Sequence, residues 1–214
     1  MNTSKSPERL IFFSDAVIAI ALTLLVLPLT ETVPELVAEN GEAIEAITKH
    51  QWQIYTFLLS FAVIARLWIN HHRIFEQVGA YNRPLMAVNL CWLFTIALLP
   101  FPTEMVGAFS NDQFAALFYI GTILASSLCQ TIIVLIVHHD DTVKKGADSI
   151  NARWLFISIG STLAVLVAFV LAALVPVVSY LALLLLVVPS AIARLRYGKQ
   201  SPAEDTAELT GPAV

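Results

Sequence analysis

Charge is scarce in this sequence. Asp, Glu, Lys and Arg together supply 13% of the 214 residues, against 57% apolar residues and a mean hydropathy of +0.76. A soluble domain needs far less apolar surface to build one core, so the bilayer is the expected solvent. The few Lys and Arg residues are dispersed and the net charge is -4, which leaves no basic footprint and excludes nucleic acid as a partner. Cysteine is nearly absent. Cys91 and Cys129 both fall inside apolar runs, where a free thiol acts as a small hydrophobe, and no disulfide framework can be drawn. There is no glycine-rich phosphate loop, no nucleophile with a matched base and no zinc-protease helix, so neither an enzyme nor a cofactor is expected. His71-His72 and His138-His139-Asp140-Asp141 lack the spacing of a closed ligand set, because helical neighbours point ~100° apart, and no metal site is expected. The second group reads as an interfacial loop with Lys144 and Lys145.

What is present is a series of long apolar runs. A spanning helix needs ~20 mostly apolar residues at ~1.5 Å rise each. Charged or Pro/Asn/Gly breaks divide the chain into six such spans, roughly Glu8–Leu29, Trp52–Glu76, Pro84–Val106, Gln113–Val137, Arg153–Val175 and Val177–Leu195. The expected fold is therefore an all-α membrane protein with one six-helix domain over residues 1–199 and a disordered tail over 200–214. Ser6 as N-cap, Pro7 at the first helical position and Glu8 in the first turn mark the start of span 1. With Asp15 inside it and no small-residue cleavage site after Pro28, it reads as a retained helix that stops around Pro28.

Lys5, Arg9, Arg66, Arg73, Arg83, Lys144, Lys145, Arg153, Arg194, Arg196 and Lys199 fall on one side of this arrangement and only Lys49 on the other, which places both termini in the cytoplasm. The outward loop after span 1 carries Glu31, Glu35, Glu39, Glu42 and Glu45, either for solubility or to concentrate cations at an outer mouth.

Span 1 carries the chemistry. A carboxylate within a spanning helix is expensive and needs a partner or water, which makes Asp15 a functional candidate or a structural pin. At ~100° per residue, Ile20, Leu24 and Leu27 fall within roughly 40–60° of one another and Asp15 lies roughly 140° from Ile20. Such a stripe faces lipid, a neighbour or a pore axis; around an axis it would make stacked rings of branched side chains that close a pore by dewetting. Thr23 has a local alternative, a hydrogen bond to the carbonyl of Ala19.

Arg9, Phe13, Ser14 and Asp15 form an Arg-x-x-x-Phe-Ser-Asp stretch that resembles the signature of the transmembrane protein 175 family, potassium channels of lysosomes and bacteria. Trp68-Ile69-Asn70-His71-His72-Arg73 and Leu98-Leu99-Pro100-Phe101-Pro102-Thr103 are similar to further family stretches. The resemblance, to the bacterial single-repeat branch, implies a homotetramer in the bacterial plasma membrane whose pore is lined by the first helix of each chain. No carbonyl filter is implied, and the sequence has no Thr-Val-Gly-Tyr-Gly stretch. It puts the constriction at Ile20, with apolar rings at Leu24 and Leu27, and Thr23 at a position linked to ion preference. It also implies that Arg9, Ser14 and Asp15 join a supporting polar network with Trp68, His71 and Asn89. A potassium-preferring passive channel is thus the expected activity, with a proton-coupled carrier using Asp15, or a non-transporting scaffold, as the alternatives.

Overall fold

In the computed structural model, which describes residues 6–109, 112–146 and 152–174, every long element is helical. Five helical stretches are long and apolar enough to cross a bilayer: Glu8–Ala38, Gln51–Phe75, Arg83–Ala108, Gln113–His139 and Trp154–Leu174. The expected sixth span, 177–195, and the tail lie outside the described residues. The helices are α1 (Glu8–Leu24), α2 (Leu27–Ala38), α3 (Glu45–Thr48), α4 (Gln51–Phe75), α5 (Arg83–Leu98), α6 (Pro100–Ala108), α7 (Gln113–His139) and α8 (Ala152–Leu174).

Two prolines act differently from the sequence expectation. Pro28 does not end the first helix. After a tight turn at Leu25 and Val26, both with right-handed helical backbone, α2 carries on to Ala38 with Pro28 in its first turn. The missing N–H of proline costs little there, because first-turn amides have no intrahelical partner. The combined stretch of 31 residues would be ~46 Å long if straight, more than the ~30 Å hydrocarbon core needs. At the other end the helix begins at Glu8 with Pro7 at the cap and no side-chain cap bond, so Ser6 is not the N-cap. Pro100 likewise separates α5 from α6 within one spanning stretch, and Leu99 N–H donates to Ile96 instead of one residue further back.

α7 sits at the centre, packed against α5, α6 and α8, while α1 packs on α4 and α5 and α4 on α6. Its small and hydroxyl residues permit this: Ala115, Ala116, Ser126, Ser127 and Thr131 are all buried. Large side chains fill what remains, with Trp92, Leu85, Ile96, Ile64, Ile120 and Ile133 fully buried. Between α7 and α8, Thr131 Oγ1 lies 2.8 Å from both Ser158 Oγ and Thr162 Oγ1.

The loops at one end are clamped together. Val78 and Lys144 form a short antiparallel bridge, Gly79 N–H donates to the Val143 carbonyl at 2.8 Å, and Lys145 N–H donates to Gln77 at 2.9 Å. Asn82 serves both halves of this clamp. Its Oδ1 caps α5 at Leu85 N–H (2.9 Å), and its Nδ2 donates to Asp140 Oδ2 (2.8 Å).

Candidate functional site

Ser14 is fully buried on the α1 face that meets α5. Its hydroxyl donates to the Leu10 carbonyl one turn back (2.8 Å), which leaves its lone pairs to accept from Asn89 Nδ2 at 3.0 Å. With the amide nitrogen committed to Ser14, Asn89 turns Oδ1 toward His71 Nε2, 2.8 Å away. That nitrogen must therefore carry a hydrogen, and the chain of donors runs one way, from His71 through Asn89 and Ser14 to the α1 backbone. Asn89 and His71 are 0% and 1% exposed. The imidazole is also held by stacking, with Trp92 at 4.0 Å and 3° between planes and Phe75 at 4.3 Å and 28°.

Asp15 takes a separate partner. Trp68 Nε1 donates to its Oδ1 at 2.9 Å, joining α1 to α4. The six residues Ser14, Asp15, Trp68, His71, Asn89 and Trp92 thus tie one side of α1 to α4 and α5. Arg9 and Phe13 are not brought in: both are exposed, and Arg9 has no hydrogen bond or ion pair among the described residues.

The opposite side of α1 is left largely exposed among the described residues. Ile20, Leu24 and Leu27 are 58%, 40% and 49% exposed, and Thr23 is exposed between them, whereas Leu10, Ile18, Ala21 and Leu25 are buried against the bundle. Thr23 does not bond to Ala19. Its hydroxyl donates to Ile20, three residues back, at 2.8 Å. A helical Thr hydroxyl reaches the carbonyl either three or four residues back, and Thr30 likewise donates three back, to Leu27 at 2.7 Å.

At the far end of α1, a cavity of about 180 Å³ opens between α2, α4 and α6. Glu31 and Glu35 from α2 and Glu104 from α6 line it with Thr32, Thr56 and Thr103. The expected stop at Pro28 placed Glu31 and Glu35 in a loop, and Glu104, a carboxylate inside the expected third span, was missed although the rule applied to Asp15 covers it as well. Among the described residues no three His, Cys, Asp or Glu side chains converge closely enough to hold a metal ion. His138 and His139 sit edge to face at the end of α7, 5.3 Å apart.

Residues 9–100 match the family model of the endosomal/lysosomal potassium channel TMEM175. A potassium channel of Streptomyces collinus is 37% identical over 117 residues, covering 54% of this chain and 53% of that protein. The endosomal/lysosomal proton channel TMEM175 of Danio rerio is 27% identical over 134 residues, covering 63% of this chain and 25% of that one. The chain thus spans about half the length of the first relative and a quarter of the second. Among solved structures, the crystal structure of a lysosomal potassium-selective channel TMEM175 homolog from Chamaesiphon minutus superposes with a TM-score of 0.68 at 28% identity, over 88% of this chain and 96% of that one.

Proposed function

From a chain that belongs to the TMEM175 family by its residues 9–100, we propose a passive, potassium-preferring cation channel. Its working form is a homotetramer of six-helix chains in a bacterial plasma membrane, with both termini cytoplasmic, residues 1–199 as the channel domain and α1 of each copy around the pore. The observation that carries this reading is the division of α1 into two faces. Ser14, Asp15, Ile18 and Ala21 face the bundle, while Ile20, Thr23, Leu24 and Leu27 are exposed among the described residues. A helix pinned on one side and apolar on the other suits a position at a symmetry axis.

Stacked rings of Ile20, Leu24 and Leu27 offer a hydrated ion no replacement for its water, so a narrow closed state empties of water and blocks conduction. When the rings widen, ions still pass an apolar constriction, and potassium sheds water at lower cost than sodium. Selectivity of this origin is modest. The polar network on the other face holds α1 in register and takes no part in coordination, and no cofactor, metal or enzymatic step is involved.

One finding favours a second permeant ion: the Danio rerio relative bears the name of a proton channel. Both readings are tested by reconstituting the purified protein in liposomes and measuring reversal potentials in potassium, sodium and proton gradients. Passive current reversing near the potassium potential supports the channel. Slow, saturable uptake tied to a proton gradient would instead favour a carrier working through Asp15, and absence of any flux from assembled protein would leave a scaffold.

A further inference from the structure

The continuity of α1 into α2 brings one more polar residue onto the unpartnered face. Leu25 and Val26 keep right-handed helical backbone, and the N–H groups of Leu29 and Thr30 both donate to the Val26 carbonyl, at 3.1 and 3.2 Å. The helical path is therefore tightened there but not interrupted. Phe13, Ala16, Ile20, Thr23, Leu27 and Thr30 follow one another at steps of three and four residues, and all are exposed. That spacing is the one at which parallel helices keep a single seam turned toward a common axis. Thr30 stands one heptad, ~10 Å, beyond Thr23 on this seam, with the apolar Leu27 between them.

The two threonines are alike in their bonding. Each spends its only hydroxyl proton on the carbonyl three residues back, Thr23 to Ile20 at 2.8 Å and Thr30 to Leu27 at 2.7 Å. With the proton turned to the backbone, the oxygen offers lone pairs alone to whatever lies on the exposed side, and an acceptor without a donor matches a cation. The next residue, Glu31, opens the carboxylate-lined cavity with Glu35 and Glu104, so this level of the molecule carries negative potential with no Lys, Arg or His among the cavity residues.

We propose that Thr30 forms an outer ring of hydroxyl oxygens, one from each copy, at which a permeating monovalent cation replaces part of its hydration before entering the apolar constriction. This rests on the reading that α1 surrounds the pore. The ring acts on conductance and ion preference and not on the closed barrier, because it lies outside Leu27. Thr30→Val keeps the shape and removes the oxygen; Thr30→Ser keeps the oxygen.

The test uses tetramers in liposomes, compared at matched protein amounts. Thr30→Val removes all four oxygens of the ring and should lower potassium conductance at low potassium by about tenfold or more, the factor for one hydrogen-bond-sized interaction being the lower bound, while Thr30→Ser stays near the parent. Thr30→Val conducting like the parent would overturn the proposal. Accessibility separates it from the reading beneath it. In a background with Cys91 and Cys129 replaced, Thr30→Cys and Ile20→Cys are each exposed to a trimethylammonium methanethiosulfonate reagent. Block at both positions, faster from the outside at Thr30, is the expected result. Block at Ile20→Cys alone leaves the pore assignment standing and removes Thr30 from the path. Block at neither position removes α1 from the pore, and the outer ring falls with it.

Discussion

Asn89 Nδ2 donates to Ser14 Oγ at 3.0 Å, so one amide on α5 completes the hydrogen bonding of a hydroxyl on α1 and a buried imidazole on α4 at once. Its two ends serve different helices, which makes it the joint of the network. Asn89→Leu, near in volume, should leave the His71 N–H without an acceptor and cost about 1–3 kcal/mol, the penalty of a buried unsatisfied donor. A fall in melting temperature in detergent checks this, and His71→Phe in the same background should recover part of it by removing the stranded group.

Trp68 supplies the donor to Asp15, and Trp68→Phe removes that donor while keeping an aromatic body. The carboxylate is then left unpaired within a spanning helix. We expect a lower yield of assembled protein with unchanged ion preference in what assembles, read by size-exclusion chromatography and reversal potential. Asp15→Ala should behave alike. Normal assembly with strongly altered preference would put Asp15 in the ion path.

On the other face of α1, if Ile20 forms the proposed constriction, Ile20→Asn should hydrate it, raising basal current and weakening potassium-over-sodium preference. Leu27→Ala should act in the same direction but less. Thr23→Ala removes a hydroxyl and no barrier, so it should change preference while basal leak stays low. If Ile20→Asn alters neither leak nor reversal potential, another helix lines the pore.

In the loop clamp, a Cβ added at Gly79 would lie 2.9 Å from Lys145 Cα and 3.0 Å from the Lys144 carbonyl, both backbone atoms that cannot swing aside. Gly79→Ala should break the Val78–Lys144 bridge at a cost of about 1–3 kcal/mol, the usual range for overpacking, visible as faster amide exchange at Lys145.

Asp140 gives the clamp a pH dependence. Hydrogen bonds from the Thr142 hydroxyl, then from its N–H, and from Asn82 hold its carboxyl below the ordinary value. A depressed folded value stabilises the loop above the unfolded value of about 3.9 and loses that contribution as pH falls through the folded one. The loop should be indifferent to pH between about 5 and 8 and loosen only below about 4. Exchange rates at Thr142 and Lys145 over that range check the sign.

The spans were legible because apolar runs of bilayer length have few other uses: four lie within a few residues of the expected bounds, and the first starts where expected but runs nine residues further, to Ala38. The sidedness of α1 was legible from Ile20, Leu24 and Leu27 set against Asp15. The fate of Pro28 was not. A proline reads equally as the end of one helix or the first turn of the next, and only the structure, in which α2 runs on to Ala38 with Thr32 and Leu36 buried, decides in favour of continuation. That one ambiguity hid Thr30 and the place of Glu31 and Glu35 in the acidic cavity. The pairing of Ser14 with Asn89 is a contact between distant positions, which local pattern cannot supply.

The same pairing constrains how the protein is made. Asp15 leaves the ribosome before Trp68, 53 positions later, and Ser14 before Asn89, 75 positions later. At about 5–20 residues per second the first helix waits roughly 4–15 s for its last polar partner. During that interval Ser14 is served by its bond to Leu10, whereas Asp15 waits for Trp68 on α4 to supply a donor. Completing the polar network of this chain therefore takes three helices, and truncating the message before Trp68 should leave Asp15 without its partner.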